Sequence, residues 1–475
     1  MIKDKPTDKG IQSINKVPQN KSQNDISKKT SPTRGRTTCN NRETTYKDKW
    51  QILTLDSAPL EIIDGDRGFN YPKQHDFRSN DYCLFLNAGN VTEEGFNFSD
   101  CSFISKERDK AMRKGKLIKG DLVLTTRGTV GNVAIYDDSV QFENVRINSG
   151  MVLLRSDNSR LLPNFLYYSL KSQFFRNQMK ALITGSAQPQ LPIQDIRKIN
   201  IYLPPLSGQR QIAHFLGVFD EKIKLNQKMN KALEAIARAI FKHWFIDFEF
   251  PNEEGKPYKS SGGEMVDSER GKIPSEWVVQ PLGSVLSLLK DGTHLPPNRI
   301  KDGIRFIAGA TDIKHFYVDF SRCTYISEEE YLKIHKKWNP RPNDILLTIV
   351  GTVGNVALVR ESDLPFSMQR SIALLRANEK ITYTYLYFLV DSHRFKAELK
   401  KRINPTAQPG IYLNELSKIQ VIVPTKKIVE LFHSVILQLL DFMQFGIYNS
   451  QTLSDLRDTL LPKLVSGKIR VPQEE

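Results

Sequence analysis

The chain has 475 residues, a net charge of +15, and 39% hydrophobic and 25% charged residues, a composition typical of a soluble protein with two or three domains. It contains no apolar run of about 18 residues that would cross a membrane, and its first residues lack the apolar segment of a secretory signal. The cysteines are scattered without a CxxC or metal-ligand spacing, as in proteins of reducing compartments. We therefore expect a cytoplasmic protein.

The positive charge is concentrated at the N-terminus. Residues 1–49 contain 12 Lys and Arg against 5 Asp and Glu, so +7 of the charge lies there. This stretch is rich in Lys, Asn, Ser and Thr and poor in aromatic residues, which predicts a disordered basic tail at 1–48. The remaining +8 is compatible with a polyanionic partner but does not require one.

The first folded domain is predicted at 49–205. Short β-type runs alternate with turn residues, the charged stretch 105–114 favours a helix with Ser105 as its N-cap, and 164–182 has the apolar spacing of a second helix. These patterns predict a mixed α+β domain.

A long helix is predicted at 206–250. Its apolar residues recur in an a/d heptad pattern over about 36 residues, which gives a rod of about 54 Å. Adding 220 to these positions gives a second seam in a C-terminal helix predicted at 425–467. Both seams are apolar at the ends and polar in the middle, so an antiparallel pair would bring the weak centres together.

Asn226 and Asn230 interrupt the first seam, and we interpret them as residues that set the register, although a wetter middle of an amphipathic helix would give the same pattern. The predicted spacer-helix seam consists of Ile212, Leu216, Phe219, Ile223, Asn226, Asn230, Leu233, Ile240, Phe432, Ile436, Leu439, Met443, Leu453 and Leu460.

The chain is an internal repeat. GDLVLTTRGTVGNVAIY at 120–136 matches NDILLTIVGTVGNVALV at 343–359, and AQPQLPIQDIRKINIYLPP at 187–205 matches AQPGIYLNELSKIQVIVPT at 407–425. A polar linker at 251–274 therefore separates the first domain and helix from a second domain at 275–424, and a short tail follows at 468–475. Residues 56–100 and 283–320 resemble each other little, as expected if one scaffold binds two different targets.

No catalytic or metal-ligand constellation stands out in the sequence. The GTVGN segment lies between β-type runs and lacks the Lys of a phosphate-binding loop, so it predicts a tight turn that uses Gly128, Gly131, Gly351 and Gly354. Such a turn would leave Thr129, Asn132, Thr352 and Asn355 near the surface, with backbone amides free to meet a phosphate.

Basic and amide side chains are frequent where the copies diverge, although each one alone could equally be a solvated surface residue. Arg can bind guanine edges, and Asn or Gln can bind adenine. The candidate DNA-binding residues are Arg67, Lys73, Arg78, Arg127, Thr129, Asn132, Arg146, Gln188, Gln190, Arg299, Lys301, Arg305, Thr352, Asn355, Arg370, Arg402 and Gln408.

Together these features resemble the specificity subunit of type I restriction and modification systems, over nearly all of the chain from Trp50 to Val471. The resemblance rests on the duplicated D-[LI]-[VL]-L-T-x-x-G-T-V-G-N turn and on the paired AQP stretches that lead into IYLPP and VIVPT. It rests also on the heptad helix LNQKMNKALEAIARAIFKHWF, the linker GKPYKSSGGEMV and the closing LRDTLLPKLVSGKIRV.

The resemblance implies an α+β protein with two tandem target recognition domains, separated by two long antiparallel coiled-coil helices and related by a pseudo-twofold repeat. Each domain would read one half of a bipartite, asymmetric site in double-stranded DNA. The helices would set the spacing and dock two methyltransferase subunits, and motor-nuclease subunits would add restriction. S-adenosylmethionine, ATP and magnesium would belong to those partners, and the target adenine would flip into the methyltransferase. This chain would be non-catalytic and hold neither a cofactor nor a metal.

Two features depart from this expectation, and two other functions stay open. The tail at 1–48 is longer than the fold needs, and Pro462 lies where the first helix has Lys242, so the second helix is expected to kink or end there. A fused restriction enzyme or solitary methyltransferase is one alternative, against which the missing cofactor motifs count. A protein-binding scaffold, or an inactive specificity subunit without DNA selectivity, is the other.

Overall fold

The computed structural model describes residues 50–185, 188–404 and 408–471. The tail predicted at 1–48 and residues 472–475 of the C-terminal tail lie outside the described residues.

The first copy combines two sheets with two strand pairs and five helices. Its strands are β1 (Gln51–Thr54), β2 (Leu60–Asp64), β3 (Cys83–Leu86), β4 (Val91–Thr92), β5 (Gly95–Phe96), β6 (Phe103–Ile104), β7 (Leu122–Thr125), β8 (Val133–Ile135), β9 (Val145–Ile147), β10 (Met151–Ser156) and β11 (Asn200–Leu203). Its helices are α1 (Lys106–Ala111), α2 (Pro163–Lys171), α3 (Gln173–Leu182), α4 (Ile193–Ile196) and the long α5 (Leu206–Phe245).

The strand pair β12 (Met265–Val266) and β13 (Ile273–Pro274) lies in the connecting segment, and the second copy follows it. The strands of that copy are β14 (Val278–Pro281), β15 (Leu286–Asp291), β16 (Ile304–Ile307), β17 (Ile313–Lys314), β18 (Tyr317–Val318), β19 (Thr324–Ile326), β20 (Ile345–Thr348), β21 (Val356–Leu358), β22 (Phe366–Met368), β23 (Ile372–Ala377) and β24 (Gln420–Val423). Its helices are α6 (Glu328–Ile334), α7 (Tyr383–Asp391), α8 (His393–Lys401), α9 (Leu413–Ser417) and the long α10 (Lys426–Val465).

The two copies have the same topology. Both contain an antiparallel four-stranded sheet, β2-β10-β7-β8 in one and β15-β23-β20-β21 in the other. Both also contain a mixed three-stranded sheet, β6-β3-β9 and β19-β16-β22, in which the last pair is parallel. The pair β1–β11 likewise has its counterpart in β14–β24. The predicted α+β fold with an internal repeat is therefore confirmed.

The four-stranded sheets carry the same buried ion pair in both copies. The Arg155 guanidinium donates to both carboxylate oxygens of Asp121 at 2.8 and 2.7 Å, and Arg376 does the same to Asp344 at 2.7 and 2.8 Å. Bidentate pairing of this kind offsets much of the cost of burying a carboxylate. The pair fixes β7 against β10 and, at the equivalent position, β20 against β23.

Serine side chains set the ends of several helices. The Ser105 hydroxyl accepts a hydrogen bond from the Arg108 amide at 3.3 Å, as the predicted N-cap requires. The single helix predicted at 164–182 is wrong, because α2 ends at Lys171 and α3 begins at Gln173. Ser172 between them has an extended backbone, and its hydroxyl caps α3 through the Phe175 amide at 3.3 Å.

The two long helices pack against each other in antiparallel fashion. The Asn230 side chain of α5 donates to the Met443 carbonyl of α10 at 3.2 Å, and Arg457 of α10 pairs with Asp220 of α5 at 2.5 Å. A higher residue number on α5 is thus paired with a lower residue number on α10, so the two helices run in opposite directions. Every residue of the predicted seam is buried or half-buried.

The centre of this helix pair is polar, as the antiparallel arrangement predicts. Asn226 is 2% exposed, and its amide nitrogen has no hydrogen-bond partner among the described residues. Gly446 lies opposite Asn230, where a Cβ atom would stand 2.5 Å from the Asn230 Oδ1 atom. The α10 helix therefore needs a glycine at this point.

Each long helix begins in its own domain and ends in the core of the other. The end of α5, with Phe241 and Phe245, packs with Phe432 and the second copy, while Leu464 near the end of α10 packs into the core of the first copy. The Gly467 backbone then lies against the Trp50 ring. The helices thus join the two domains at both ends.

Two predictions about the connections need correction. The segment at 251–274 is folded onto the second domain, because Phe250 stacks on Tyr258 and Trp277 and Arg270 pairs with Glu398 at 3.2 Å. Of the kink or end expected at Pro462, the end is excluded, because the α10 helix continues three residues further, to Val465. A proline within one turn of the C-terminus removes only one backbone hydrogen bond, which the packing of Leu464 compensates.

Candidate nucleic-acid interface

The GTVGN segment is a tight hairpin turn in both copies, as predicted. Gly128 and Gly131 have φ angles of 74° and 98°, and Gly351 and Gly354 have 77° and 102°, which side-chain-bearing residues rarely adopt. The Thr125 hydroxyl closes the first turn by accepting from the Asn132 amide at 2.9 Å. The equivalent Thr348 hydroxyl accepts from the Asn355 amide at 2.9 Å. These turns join β7 to β8 and β20 to β21.

Three further loops of the first copy surround its turn. The Gly150 carbonyl accepts from the amides of Thr126 and Arg127, and the Thr126 carbonyl accepts from the Leu191 amide at 2.9 Å. The Arg67 guanidinium donates to the Ser149 carbonyl at 3.4 Å, which places the loop after β2 beside them. We call residues 65–69, 126–132, 148–150, 184–185 and 188–190 the first loop face.

The second copy assembles equivalent loops in the same way. The Pro409 carbonyl accepts from the Gly351 amide at 2.8 Å, the Ser371 carbonyl accepts from the Ile349 amide at 2.8 Å, and the Thr293 carbonyl accepts from the Arg370 amide at 3.1 Å. We call residues 292–297, 349–355, 369–371, 404 and 408–410 the second loop face.

Besides Asn132 and Asn355, eight of the candidate DNA-binding residues lie in these two faces with exposed or half-exposed side chains. In the first face they are Arg67, Arg127, Thr129, Gln188 and Gln190, and in the second they are Thr352, Arg370 and Gln408. Loops from distant parts of the sequence therefore bring six of the fifteen predicted cationic and amide side chains into the two faces, in addition to those of Asn132 and Asn355.

A second group of candidates is exposed but outside the defined faces. Lys73 follows the first loop face in sequence, and Arg78 pairs with Asp81 at 3.2 Å. The Arg299 guanidinium lies 3.7 Å from the centre of the Phe306 ring, and Lys301 is exposed nearby. Burial lowers the pKa of Arg299 from its usual value.

The buried position of Arg146 corrects its prediction as a DNA contact. Arg146 is 5% exposed, and its guanidinium donates to the Asp109 carboxylate at 2.6 Å and to the carbonyls of Lys114 and Met112. Burial raises the pKa of Asp109, but the side chains of Lys116 and Arg146 outweigh it, so the pKa lies below its usual value. Each guanidinium nitrogen of Arg146 therefore donates to a partner inside the domain.

Three other candidates are also occupied within the protein. The Asn132 side chain donates to the Val91 carbonyl at 2.9 Å, and the Asn355 side chain donates to the Ala310 carbonyl at 3.3 Å. The Arg305 guanidinium donates to the Asp363 carbonyl at 2.9 Å and lies over the Phe320 ring. The backbone amides of Asn132 and Asn355 donate to threonine hydroxyls within their own turns, so the prediction that these backbone amides stay free for a phosphate is wrong.

Arg402 is neither exposed, like Arg127 of the first loop face, nor buried inside the protein, like Arg146. It is half-exposed near the second loop face and pairs with Glu398 at 2.9 Å. Glu398 also pairs with Lys401 and Arg270, and these hydrogen bonds, led by that of Lys401, lower the pKa of Glu398 to about 2. Arg402 is thus a cation whose position is fixed by a carboxylate.

The long helices also carry a set of exposed apolar residues that were not predicted from the sequence. On α5 they recur at steps of seven and four residues, a second heptad stripe that the sequence shows once the first seam is assigned. Apolar residues on the outward side of α10 are also exposed. The two sets are Val218, Leu225, Met229 and Ile236 on α5, and Leu431, Val435, Phe442, Phe445, Tyr448 and Leu456 on α10.

The α10 helix also has the length and hydropathy of a membrane span. Its most apolar window has a mean hydropathy of 1.4, and it is the one such helix in the described part of the chain. Length and composition are weak evidence, because the core helix of a soluble protein passes the same test. Here one side of α10 packs on α5.

Among the described residues, no group of three or more His, Cys, Asp or Glu side chains is arranged to hold a metal ion.

Comparison with known proteins identifies the repeat. The family model described as the type I restriction modification DNA specificity domain matches this chain twice, at residues 60–235 and 274–450. The first match starts within the first domain, the second starts at the last residue before the second domain, and both end within a long helix, so the repeated unit is one domain followed by one helix.

Relatives with known names match most of the chain. The type I restriction enzyme MjaIX specificity subunit of Methanocaldococcus jannaschii is 28% identical over 367 residues, which cover 75% of this chain and 79% of that protein. The HindI specificity subunit of Haemophilus influenzae is 23% identical, over 85% of this chain and 98% of its own length. The crystal structure of a type I S subunit from M. genitalium has 18% identity and a TM-score of 0.48, over 90% of this chain and 97% of that one.

Proposed function

Because this chain belongs to the family of type I restriction-modification DNA specificity proteins, we propose that each of its domains reads one half of a bipartite, asymmetric site in double-stranded DNA. The two loop faces are the reading surfaces. The paired helices α5 and α10 set the distance between them.

The observation that carries this proposal is the duplicated loop face. One scaffold, with the same turn and the same buried Arg–Asp pair, presents two different sets of basic and amide side chains. Arg127 and Gln190 of the first face correspond to Val350 and Gly410 in the second, and Arg370 of the second face corresponds to Ser149 in the first. Lys and Arg contacts to phosphates would give salt-dependent affinity, and a few side chains would read base edges.

The exposed stripes of α5 and α10 are the proposed docking surface for two methyltransferase subunits. Contiguous apolar surface outside a core marks a protein interface, and Phe442, Phe445 and Tyr448 are each more than 60% exposed. The outward side of α5, with Leu225 and Met229, offers a second surface beside them.

The chemistry of modification and restriction is proposed to reside in the partners. The methyltransferase subunits would bind S-adenosylmethionine and receive the flipped adenine, and the motor-nuclease subunits would use ATP and Mg²⁺. This chain supplies sequence choice without catalysis. The complex would act on DNA in the cytoplasm.

The test is selection of DNA by the assembled complex. The chain is co-expressed with its methyltransferase, and the purified complex is incubated with a random duplex library at two salt concentrations. We expect enrichment of a split motif and weaker binding at the higher salt concentration. A stable complex that enriches no sequence would contradict the proposal and favour a protein-binding scaffold. Methyl transfer or cleavage by the chain alone would instead favour an enzyme.

A further inference from the structure

Each copy presents one apolar side chain almost entirely to solvent from the same loop. Phe69 is 98% exposed and Leu295 is 81% exposed. The two loops follow equivalent strand ends, because Asp64 pairs with Val152 in the first copy and Asp291 pairs with Ala373 in the second. The exposed residue follows five positions after the first aspartate and four after the second.

The first of these loops is firmly anchored below its tip. The Asp66 carboxylate accepts from the amides of Gly68 at 2.8 Å and Arg113 at 2.7 Å, and the Asn70 side chain donates to the Ala111 carbonyl at 3.0 Å. Burial raises the pKa of Asp66, but these amides outweigh it, and the pKa lies below its usual value. The Asp66 carboxylate before Phe69 and the Asn70 amide after it therefore hold the turn on both sides.

The second loop is also held in place below its exposed tip, but by different contacts. The Thr293 hydroxyl donates to the Leu295 carbonyl at 2.9 Å, and the Thr293 amide donates to the Met368 carbonyl at 2.9 Å. Pro296 and Pro297 follow directly and restrict the backbone. Both tips are thus preorganised, so that little conformational entropy is lost when they meet a partner.

Both tips belong to the loop faces and have cations around them. Beside Phe69, Arg67 and Lys73 are exposed, and Arg67 reaches the Ser149 carbonyl of the first loop face. The loop of Leu295 is bonded through Thr293 to the amide of the exposed Arg370. An exposed apolar tip in a loop face that also carries an exposed cation suits a partner with an anionic surface and an apolar interior, which is the composition of a DNA duplex.

We propose that Phe69 and Leu295 are wedges that enter the base stack, one in each half-site, and separate neighbouring base pairs. This inference rests on the proposed function and adds to it two residues that select for easily deformed base steps rather than for base edges. Because flexible base steps cost less to unstack, inserted apolar side chains of this kind favour them and so contribute to sequence preference.

The test uses the complex of this chain with its methyltransferase and duplexes that carry its modification site. A 2-aminopurine probe is placed at each position in turn, except at the adenine that is methylated, and its fluorescence reports unstacking. We expect Phe69→Ala to abolish an unstacked step in one half-site, and Leu295→Ala to abolish one in the other. Each variant should weaken binding by about tenfold, as expected for the loss of a buried large apolar side chain.

Two matched variants serve as controls. Ile118→Ala in the first copy and Leu332→Ala in the second remove exposed apolar side chains outside the loop faces, at 52% and 61% exposure. They should leave both fluorescence and affinity unchanged. Assembly with the methyltransferase is measured without DNA for all four variants.

Three results would overturn the inference. If the wild-type complex bound its site without any unstacked step outside the methylated adenine, the wedge role of Phe69 and Leu295 would be refuted. The proposed function would stay intact. Weakened assembly of the Phe69→Ala complex in the absence of DNA would make Phe69 a methyltransferase contact. Wild-type complex without preference for any sequence would overturn the proposed function and the wedge with it.

Discussion

The Arg146 guanidinium is buried in the first domain and donates its hydrogen bonds there rather than to DNA. It donates to the Asp109 carboxylate and to three backbone carbonyls. Arg146→Ala should lower the free energy of unfolding by about 1.5–3 kcal/mol, because Asp109 would keep only Lys116 as a charged partner. Urea unfolding measures this loss.

Arg127 provides the matched control at an exposed position of the first loop face. Arg127→Ala should change the free energy of unfolding by less than about 0.5 kcal/mol and weaken DNA binding at any salt concentration where binding is measurable. If Arg146→Ala left stability unchanged but weakened DNA binding, the internal role of Arg146 would be refuted.

Glu398 makes the attachment of the connecting segment pH-dependent. Its pKa falls from 4.5 to about 2 in the folded protein, mainly through hydrogen bonds from Lys401 and Arg402, with Arg270 contributing. Because the folded-state pKa is the lower one, the stabilisation is complete above about pH 4.5 and is lost as the pH falls towards 2. Wild type should therefore be more stable than Glu398→Gln at pH 6, and the difference should shrink between pH 4.5 and 2. An equal difference at both ends of this range would contradict the assignment.

At the scale of the helix pair, Gly446 tests whether Asn230 sets the register. In an isolated helix, Gly→Ala stabilises by about 1 kcal/mol, but here the new Cβ would stand 2.5 Å from the Asn230 Oδ1 atom. We expect Gly446→Ala to destabilise by about 1–3 kcal/mol through overpacking. The added mutation Asn230→Ala should remove most of this penalty in a double-mutant cycle.

Gly217 in α5 is the matched control for this prediction. A Cβ there would lie 3.8 Å from the Tyr168 hydroxyl, an ordinary contact, so Gly217→Ala should stabilise by up to about 1 kcal/mol. Stabilisation by both substitutions would mean that Gly446 is not constrained by Asn230.

The elements that sequence periodicity predicts are those whose pattern is local. The heptads of α5 and α10, the glycine turns and the Ser105 cap all follow from neighbouring residues. Periodicity did not reveal the break at Ser172, because the apolar spacing continues across it and only the hydroxyl cap distinguishes the two helices. Nor did it show how 251–274 folds, because Phe250 and Trp277 stack across a polar stretch.

The candidate site was predicted by residue type, and burial then divided the candidates. Arg127 and Arg146 look alike in sequence, and only the distant Asp109 explains why one is buried. Phe69 and Leu295 were missed because a single apolar residue in a loop has no periodicity. Their equivalence depends on the pairing of β2 with β10 and of β15 with β23.

At the scale of the whole molecule, the two domains and the helix pair form one closed arrangement. Each helix ends in the opposite domain, through Phe245 in one case and Leu464 in the other. The distance between the loop faces is therefore set by helix length rather than by a flexible connection.

An insertion into the helices tests this spacing. Four residues added to α5 between Asn226 and Asn230 lengthen it by about 6 Å, close to the rise of two base pairs. A matched insertion in α10 between Gly446 and Ser450 keeps the two helices in register. We expect the lengthened protein to recognise the same two half-sites across a wider gap. Altered half-site sequences with the original gap would refute the spacing role.

The most direct measurement is a map of modified adenines. The chain is co-expressed with its methyltransferase in a host without other adenine modification, and the host DNA is read by single-molecule sequencing. The account predicts a split, asymmetric motif with one modified adenine in each half. A single uninterrupted motif, or a stable complex that modifies no motif, would contradict it.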